Sequence, residues 1–349
     1  RRAMKDAIGG RAQTERRAAL RPVRDLLHAP PATHTAFIAG PPVDLESTLD
    51  GGQAFRWWPD GEGWRGVIGR RALRLSERAN GVLVEVVDGR PADGLAEAVS
   101  RYLSLDADLG AFSRRFADDP CLGPAIRGYA GLRLLRQDPW ECLVSFICSA
   151  TSNIPRIKLN VGSVACVLGD RTGPGARDFA FPSPDVIAAA GETKLRQLGL
   201  GFRAKSVAQA AEAVASGKLE FEPLRQVSYD AARAALMSLH GVGEKIADCV
   251  LAFSLDKPEA FPVDRWTRRA LEEWYGLPPE LNNTRAGEWA RARFGEHGAI
   301  AQQYVFHRER LGGRARAWGG GHMAKALPED AAPRRLLPHP RPLPRGEGK

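Results

Sequence analysis

The lysine, cysteine and aspartate in the string LHGVGEKIADCVLAFSLDKPEAFPVD, residues 239–264, have the types and spacing of a nucleophilic centre. Lys245 falls in the first turn of the helix expected after His240-Gly241-Val242-Gly243. The positive end of the helix dipole and partial burial both disfavour an ammonium ion there, and a neutral amine is a nucleophile. Cys249 at i+4 and Phe253 at i+8 share its helix face. Asp264 lies nineteen residues beyond Lys245, on a turn constrained by Pro262-Val263, from which its carboxylate reaches back toward the amine. Such a pair attacks an electrophilic carbon and steadies the positive charge that develops beside it. Each residue also has a plainer role. Lys245 could pair with Asp248 at i+3 on a solvated face, and Asp264 could cap the following helix, a role compatible with the chemistry.

These residues need two helices and a tight turn. The short His240-Gly241-Val242-Gly243 link between two amphipathic segments predicts a helix–hairpin–helix over residues 229–254. Its glycines permit a turn whose amides face outward at the start of the second helix, a place suited to a phosphate oxygen. Such a contact positions DNA without reading its sequence. Upstream, four short strands are expected at Gln53–Trp58, Trp64–Ile68, Ala72–Ser76 and Val82–Val87, with turns at Pro59-Asp60-Gly61 and Asn80-Gly81. From about Leu95 the period becomes helical, with candidates at 94–104, 124–135, 139–149, 154–168, 184–189, 193–198, 203–216, 229–239, 244–254, 265–274, 285–293 and 298–310. The fold class is α+β: an N-terminal antiparallel β domain over 41–93, then a mostly helical region over 94–310. Residues 1–40 read as a flexible basic extension, and 311–349 as a disordered tail rich in Pro, Gly and Arg.

A chain of 349 residues with 44% hydrophobic and 26% charged side chains has an ordinary globular composition, and it has no apolar run long enough to span a bilayer. The net charge of +9 belongs to the ends. Residues 1–40 and 311–349 each hold eight basic and three acidic side chains, while 41–310 hold 34 basic and 35 acidic. A DNA-binding argument must therefore rest on local clusters. The five cysteines include no C-x-x-C pair, which speaks against a disulfide scaffold, a structural zinc or a four-cysteine iron–sulfur loop, and no secretory h-region is present. Gly199-Leu200-Gly201-Phe202-Arg203-Ala204 fits a dinucleotide fingerprint, but no strand precedes it and no βαβ unit surrounds it, so a nucleotide cofactor is not expected.

The hairpin, lysine and aspartate string resembles that of the helix–hairpin–helix DNA glycosylases, in particular the 8-oxoguanine DNA glycosylase branch. Three further strings resemble that branch: Gly51-Gly52-Gln53-Ala54-Phe55-Arg56-Trp57, Cys142-Leu143-Val144-Ser145-Phe146-Ile147-Cys148-Ser149, and Leu198-Gly199-Leu200-Gly201-Phe202-Arg203-Ala204. Together they cover roughly residues 44–310. The resemblance implies a bifunctional glycosylase/β-lyase that excises 8-oxoguanine from duplex DNA opposite cytosine in base excision repair. Lys245 would attack C1′ of the flipped nucleotide and form a Schiff base, and Asp264 would stabilise the developing cation. No cofactor or catalytic metal is implied. The partner would be double-stranded DNA, the protein monomeric, and its place cytoplasmic and nucleoid-associated, or nuclear in a eukaryote.

The resemblance also assigns the recognition residues. A carbonyl of Gly52 would distinguish the N7–H of 8-oxoguanine from the N7 lone pair of guanine. Phe306 and Cys249 would sandwich the base, with Phe253 beside them, and Gln302 would address its Watson–Crick edge. Phe202 would act as the wedge and Arg203 and Arg156 would engage the estranged cytosine, while His240, Gly241, Val242, Gly243, Asn153 and Trp266 would meet the DNA. Two departures stand out. Ser149-Ala150-Thr151-Ser152-Asn153 replaces a run of asparagines, and Trp266 stands where some members have histidine, which leaves opposite-base strictness open. Two rivals remain: a monofunctional glycosylase for alkylated bases, which would need no lysine, and a non-catalytic helix–hairpin–helix damage sensor.

Overall fold

The computed structural model describes residues 34–318, 325–327 and 330; the remainder of the two terminal segments lies outside the described residues. Five antiparallel strands, β1 (His34–Ala39), β2 (Trp57–Asp60), β3 (Gly63–Ile68), β4 (Arg71–Arg78) and β5 (Gly81–Val86), form one sheet in the order β1-β5-β4-β3-β2. Strand β1 corrects the expected extension over 1–40: its polar and apolar residues alternate weakly, but it closes the open edge of β5, with Phe37 opposite Leu83. The expected strand Gln53–Trp58 is also displaced. Only Trp57 and Trp58 stay in β2, which continues through Pro59, tolerated because β2 is an edge that spends no proline N–H. The β4–β5 hairpin pairs Arg78 with Gly81, so it turns at Ala79-Asn80, one residue ahead of the expected Asn80-Gly81.

The helices are α1 (Leu45–Leu49), α2 (Leu95–Tyr102), α3 (Leu109–Arg115), α4 (Leu122–Gly128), α5 (Pro139–Cys148), α6 (Ile154–Leu168) and α7 (Pro184–Leu195). Beyond them lie α8 (Arg203–Ala215), α9 (Phe221–Gln226), α10 (Tyr229–Met237), α11 (Glu244–Ser254), α12 (Arg265–Tyr275), α13 (Asn283–Phe294) and α14 (Gly298–Trp318). The expected helices at 184–189 and 193–198 are one element bent at Gly191, and a π turn over Arg196–Leu200 leads into α8. Gly199 and Gly201 thus follow a helix and not a strand, unlike a dinucleotide-binding loop.

The tail is the larger correction. Helix α14 runs eight residues past the expected boundary at 310, and beyond it Asp330 is buried against Arg308 in a two-pronged ion pair of 2.7 and 2.9 Å. Gly313 lies inside this helix, where a side chain would come within 2.6 Å of the Trp266 ring. The glycine serves close packing within a helix.

Three large apolar cores hold the elements together among the described residues, beside a small cluster of Val67, Ala72 and Val87. One joins α5, α8 and α11 around residues such as Cys142, Phe146, Val207 and Phe253. A second joins α4, α12 and α14 around Leu122, Leu271 and Tyr304. The third lies between the sheet and α1–α2, around Trp57, Leu73 and Val84. Among the described residues no helix is long and apolar enough to cross a membrane.

The sheet is tied to the first helical core by Arg56, 3% exposed, whose Nε and Nη2 donate to both oxygens of Glu141 at 2.6 Å while Nη1 donates to the Phe179 carbonyl. Breaking a buried pair strands the remaining charge, so Arg56→Met is expected to cost about 3 kcal/mol in urea-unfolding stability. An unchanged midpoint would contradict this role.

Candidate active site

A cleft of about 1040 Å³ opens where the first and second cores meet, with the turn around Gly52 at its lip. Lys245 and Asp264 both line it, each placed by a different helix start. Helix α11 begins at Glu244 after the hairpin, in which Gly241 takes φ +78° and a Cβ would strike the Ser206 hydroxyl. That register puts Lys245 in the first turn. Its Nζ donates to Ser149 Oγ at 2.7 Å and lies 5.2 Å from the centroid of the Phe146 ring, and the Ser149 hydroxyl donates onward to the Phe146 carbonyl. The amine is therefore partly buried and aimed, with no ion pair among the described residues.

The alternative surface pair with Asp248 is not formed. Asp248 is buried and accepts from Tyr229 Oη at 2.6 Å, with Arg233 Nε at 3.3 Å, while Arg233 also meets Glu244. Glu244 in turn accepts from Thr284. The charges nearest Lys245 in sequence are thus committed elsewhere.

Asp264 is the N-cap of α12. Its Oδ1 accepts from the amides of Trp266 at 3.0 Å and Thr267 at 2.8 Å, while Oδ2 takes no hydrogen bond among the described residues. The cap role read from sequence and a place in the cleft coexist: one oxygen fixes the carboxylate and the other is left for chemistry. Between these two residues, burial pushes the Cys249 thiol up to about 12, with Lys245 opposing and Asp264 reinforcing the shift. A thiol kept protonated is a polarisable wall and no competitor to the amine as nucleophile.

Gly52 has φ +87°, which disfavours any side chain, and a Cβ there would sit 3.0 Å from both Phe306 and Ile154. Phe306, Gln302, Phe253 and Cys249 all line the same cleft. Gln302 donates to Thr267 Oγ1 at 3.2 Å, and its buried Oε1 has no partner among the described residues. Phe253 is packed in the first core, stacked on Phe146 at 5.4 Å. Sequence reasoning missed Arg310 and Arg314, which continue the i+4 stripe of Gln302 and Phe306 along α14 and also line the cleft. The spacing carries this signal, but the expected helix 298–310 stops short of Arg314.

The residues expected to meet DNA are linked to the loop 150–153 that lines the cleft, lie in the hairpin before α11 or, as Trp266 does, line the cleft themselves. Phe202 is 60% exposed, with the Arg203 guanidinium 4.5 Å from its ring centroid. Arg203 itself is buried and donates to the carbonyls of Ala150 and Thr151, so here it props the loop that carries Thr151. That loop is strained, because Thr151, a β-branched residue, has φ +48°. Arg156 is exposed and donates to the Gly199 carbonyl at 3.3 Å. Asn153 spends its side chain capping α6, accepting from the Arg156 amide. In the hairpin, His240 Nδ1 lies 3.1 Å from Ser206 Oγ, Val242 is buried, and nothing lies within 4 Å of the Cβ position of Gly243. Trp266 lines the cleft mouth with the Arg265 guanidinium 4.7 Å from its ring. Among the described residues no cluster of three or more His, Cys, Asp or Glu side chains could hold a metal.

This sheet, hairpin and cleft define a helix–hairpin–helix base excision DNA repair protein. Residues 144–289 match the model of the HhH-GPD superfamily of such proteins, and residues 38–143 match that of the N-terminal domain of 8-oxoguanine DNA glycosylase. The chain is 35% identical over 282 residues to the N-glycosylase/DNA lyase OGG1 of Arabidopsis thaliana, covering 76% of each chain. It is 31% identical to the N-glycosylase/DNA lyase of Saccharomyces cerevisiae, covering 68% of this chain and 70% of that one. The 8-oxoguanine glycosylase/lyase of Clostridium acetobutylicum, solved with double-stranded DNA containing cytosine opposite 8-oxoguanine, superposes with a TM-score of 0.73 at 29% identity over 77% of this chain and 92% of that one. The chain belongs to the 8-oxoguanine N-glycosylase/DNA lyase family.

The Asp248 network generates a pH prediction. Burial raises the Asp248 carboxyl from 3.8 to about 6, against the opposing pull of Tyr229, Arg233 and Arg291. Folding therefore favours its protonated form, and stability falls as pH rises from about 4 through 6. Wild type should lose roughly 2–3 kcal/mol more than Asp248→Asn between pH 4 and 7 in urea titrations. Parallel pH profiles would contradict the assignment.

Proposed function

We propose that this chain excises 8-oxoguanine from duplex DNA, opposite cytosine, through a Schiff base on Lys245, and then nicks the strand by β-elimination. The observation that carries the reading is the meeting of an amine and a carboxylate, each fixed at a helix start, in a cleft walled by Gly52, Cys249, Gln302 and Phe306.

The chemistry follows from the geometry. Ser149 holds the Lys245 amine toward the cleft, where its nitrogen bonds to C1′ of a flipped nucleotide as the bond to the base nitrogen breaks and the base takes that electron pair. The free oxygen of Asp264 faces the sugar's developing positive charge without reorganisation, because the helix amides already hold the other oxygen. The resulting aminal opens as its C1′–O4′ bond breaks and O4′ takes up a proton given up by the amine; the iminium so formed acidifies the adjacent C2′ position, and loss of that proton expels the 3′ phosphate.

Base selection rests on the lip and the α14 wall. A Gly52 carbonyl directed at N7 accepts a hydrogen bond from 8-oxoguanine and meets a lone pair in guanine, a difference of about 1–3 kcal/mol. Gln302 addresses the Watson–Crick edge, and the base stacks between Phe306 and Cys249. Phe202 wedges the duplex open, and the exposed guanidinium of Arg156, with the edge of Arg203 left over from its loop carbonyls, suits the O2 and N3 acceptors of the estranged cytosine. The partly buried amine held by Ser149 has no purpose in an alkylated-base glycosylase that works without a lysine.

Borohydride reduction with an 8-oxoguanine duplex should trap a covalent adduct in the wild type, and Lys245→Gln should abolish it; an undiminished adduct in the variant would move the nucleophile elsewhere. Asp264→Asn should slow excision by about 100-fold or more in single-turnover assays while lesion binding is largely retained. Equal losses of binding and excision would reduce Asp264 to a helix cap.

A further inference from the structure

The residue on which base selection rests, Gly52, is held on its two sides by different partners. On the C-terminal side, the buried Gln53 side chain donates to the carbonyls of Thr48 and Arg133 and accepts from the Leu135 amide, while the Gln53 carbonyl accepts from Gln137 Nε2 at 2.8 Å. On the N-terminal side, the Gly51 carbonyl is met, among the described residues, by the side chain of Gln303 of α14, whose Nε2 donates to it at 3.1 Å. Gln303 is 1% exposed and lines the cleft next to Gln302. Gly51 itself is pressed onto the end of α1, where a Cβ would collide with the Ser47 carbonyl and come within 3.0 Å of Gln303 Nε2. One residue further back, Lys158 pairs with the Asp50 carboxylate at 2.6 Å.

We infer that Gln303 is a specificity-determining positioning residue: by holding the Gly51 carbonyl it sets where the Gly52 carbonyl lies against the base. This inference rests on the 8-oxoguanine reading above. The physical argument is one of leverage. Gly52 has no side chain with which to anchor itself, and its φ of +87° is one of many that glycine visits freely. The directionality of a hydrogen bond to N7–H weakens steeply with misalignment, so slack on the Gly51 side reaches the discriminating contact directly. Gln303 and Phe306 also lie three residues apart on α14, so the helix that supplies the stacking ring also fixes the lip opposite it. The carboxamide touches no reacting atom. It acts through Gly51.

The experiment compares the wild type, Gln303→Leu and Gln303→Met on three duplexes, carrying 8-oxoguanine, guanine or a preformed abasic site at the same position. The abasic duplex requires Lys245 but offers no base to select. With Gln303→Leu, single-turnover excision of 8-oxoguanine should fall about tenfold more than cleavage at the abasic site, and the preference for 8-oxoguanine over guanine should shrink with it. The shape-conserving Gln303→Met should show the same split, since it too lacks the donor. Equal loss on the lesion and abasic duplexes would make Gln303 merely structural and overturn the inference. Unchanged discrimination in both variants would do the same, leaving the 8-oxoguanine reading intact. A wild type that removes 8-oxoguanine no faster than guanine would instead overturn the reading on which the inference stands.

Discussion

The structure depends on holding an amine and a carboxylate at the starts of two helices that belong to different hydrophobic cores. Lys245 sits in the first turn of α11, in the core it shares with α5 and α8, and Asp264 caps α12, in the core it shares with α14. Each position has its own electrostatic logic. A helix start welcomes a carboxylate, so the amides of Trp266 and Thr267 anchor the acid, while the Ser149 hydroxyl fixes the amine. The loop between the two helices spans only residues 255–264, which keeps the two cores within reach across the cleft. Everything else, from the sheet to the last helix, closes walls around that pair.

The supporting architecture is polar at the seams. Arg56 joins the sheet to α5 through Glu141, Gln53 ties the Gly52 turn to the segment 133–137, and Arg308 holds Asp330 against α14. These bonds are long-range in sequence and buried, so they add little net energy compared with apolar packing but penalise any alternative arrangement. They explain how a cleft of about 1040 Å³ persists between two cores without collapsing. The neutral Cys249 thiol and the stacked Phe146 and Phe253 rings then give the cleft an apolar floor beside a single aimed amine.

What was legible in the sequence was what is local. The hairpin, Lys245 in its first helical turn, the capping Asp264 and helices such as α6 and α11 follow from spacing within a few residues, and the structure places them as read. Long-range closure was not legible. Strand β1 exists because β5 offers an edge, which no pattern within His34–Ala39 announces. The continuation of α14 through Gly313 was not legible because the reason for that glycine, the Trp266 ring against it, is 47 residues away in sequence. The expected helix end at 310 left out Arg314, and the role of Gln303 was not legible because its partner Gly51 lies 252 residues upstream.

The most direct test of the central claim is mass spectrometry of the borohydride-reduced adduct between the wild-type chain and 8-oxoguanine duplex DNA, digested to peptides. The account predicts a reduced sugar remnant on the peptide containing Lys245. A remnant on another lysine, such as Lys158 beside the Gly52 turn, or a released base with no modified peptide at all, would contradict it.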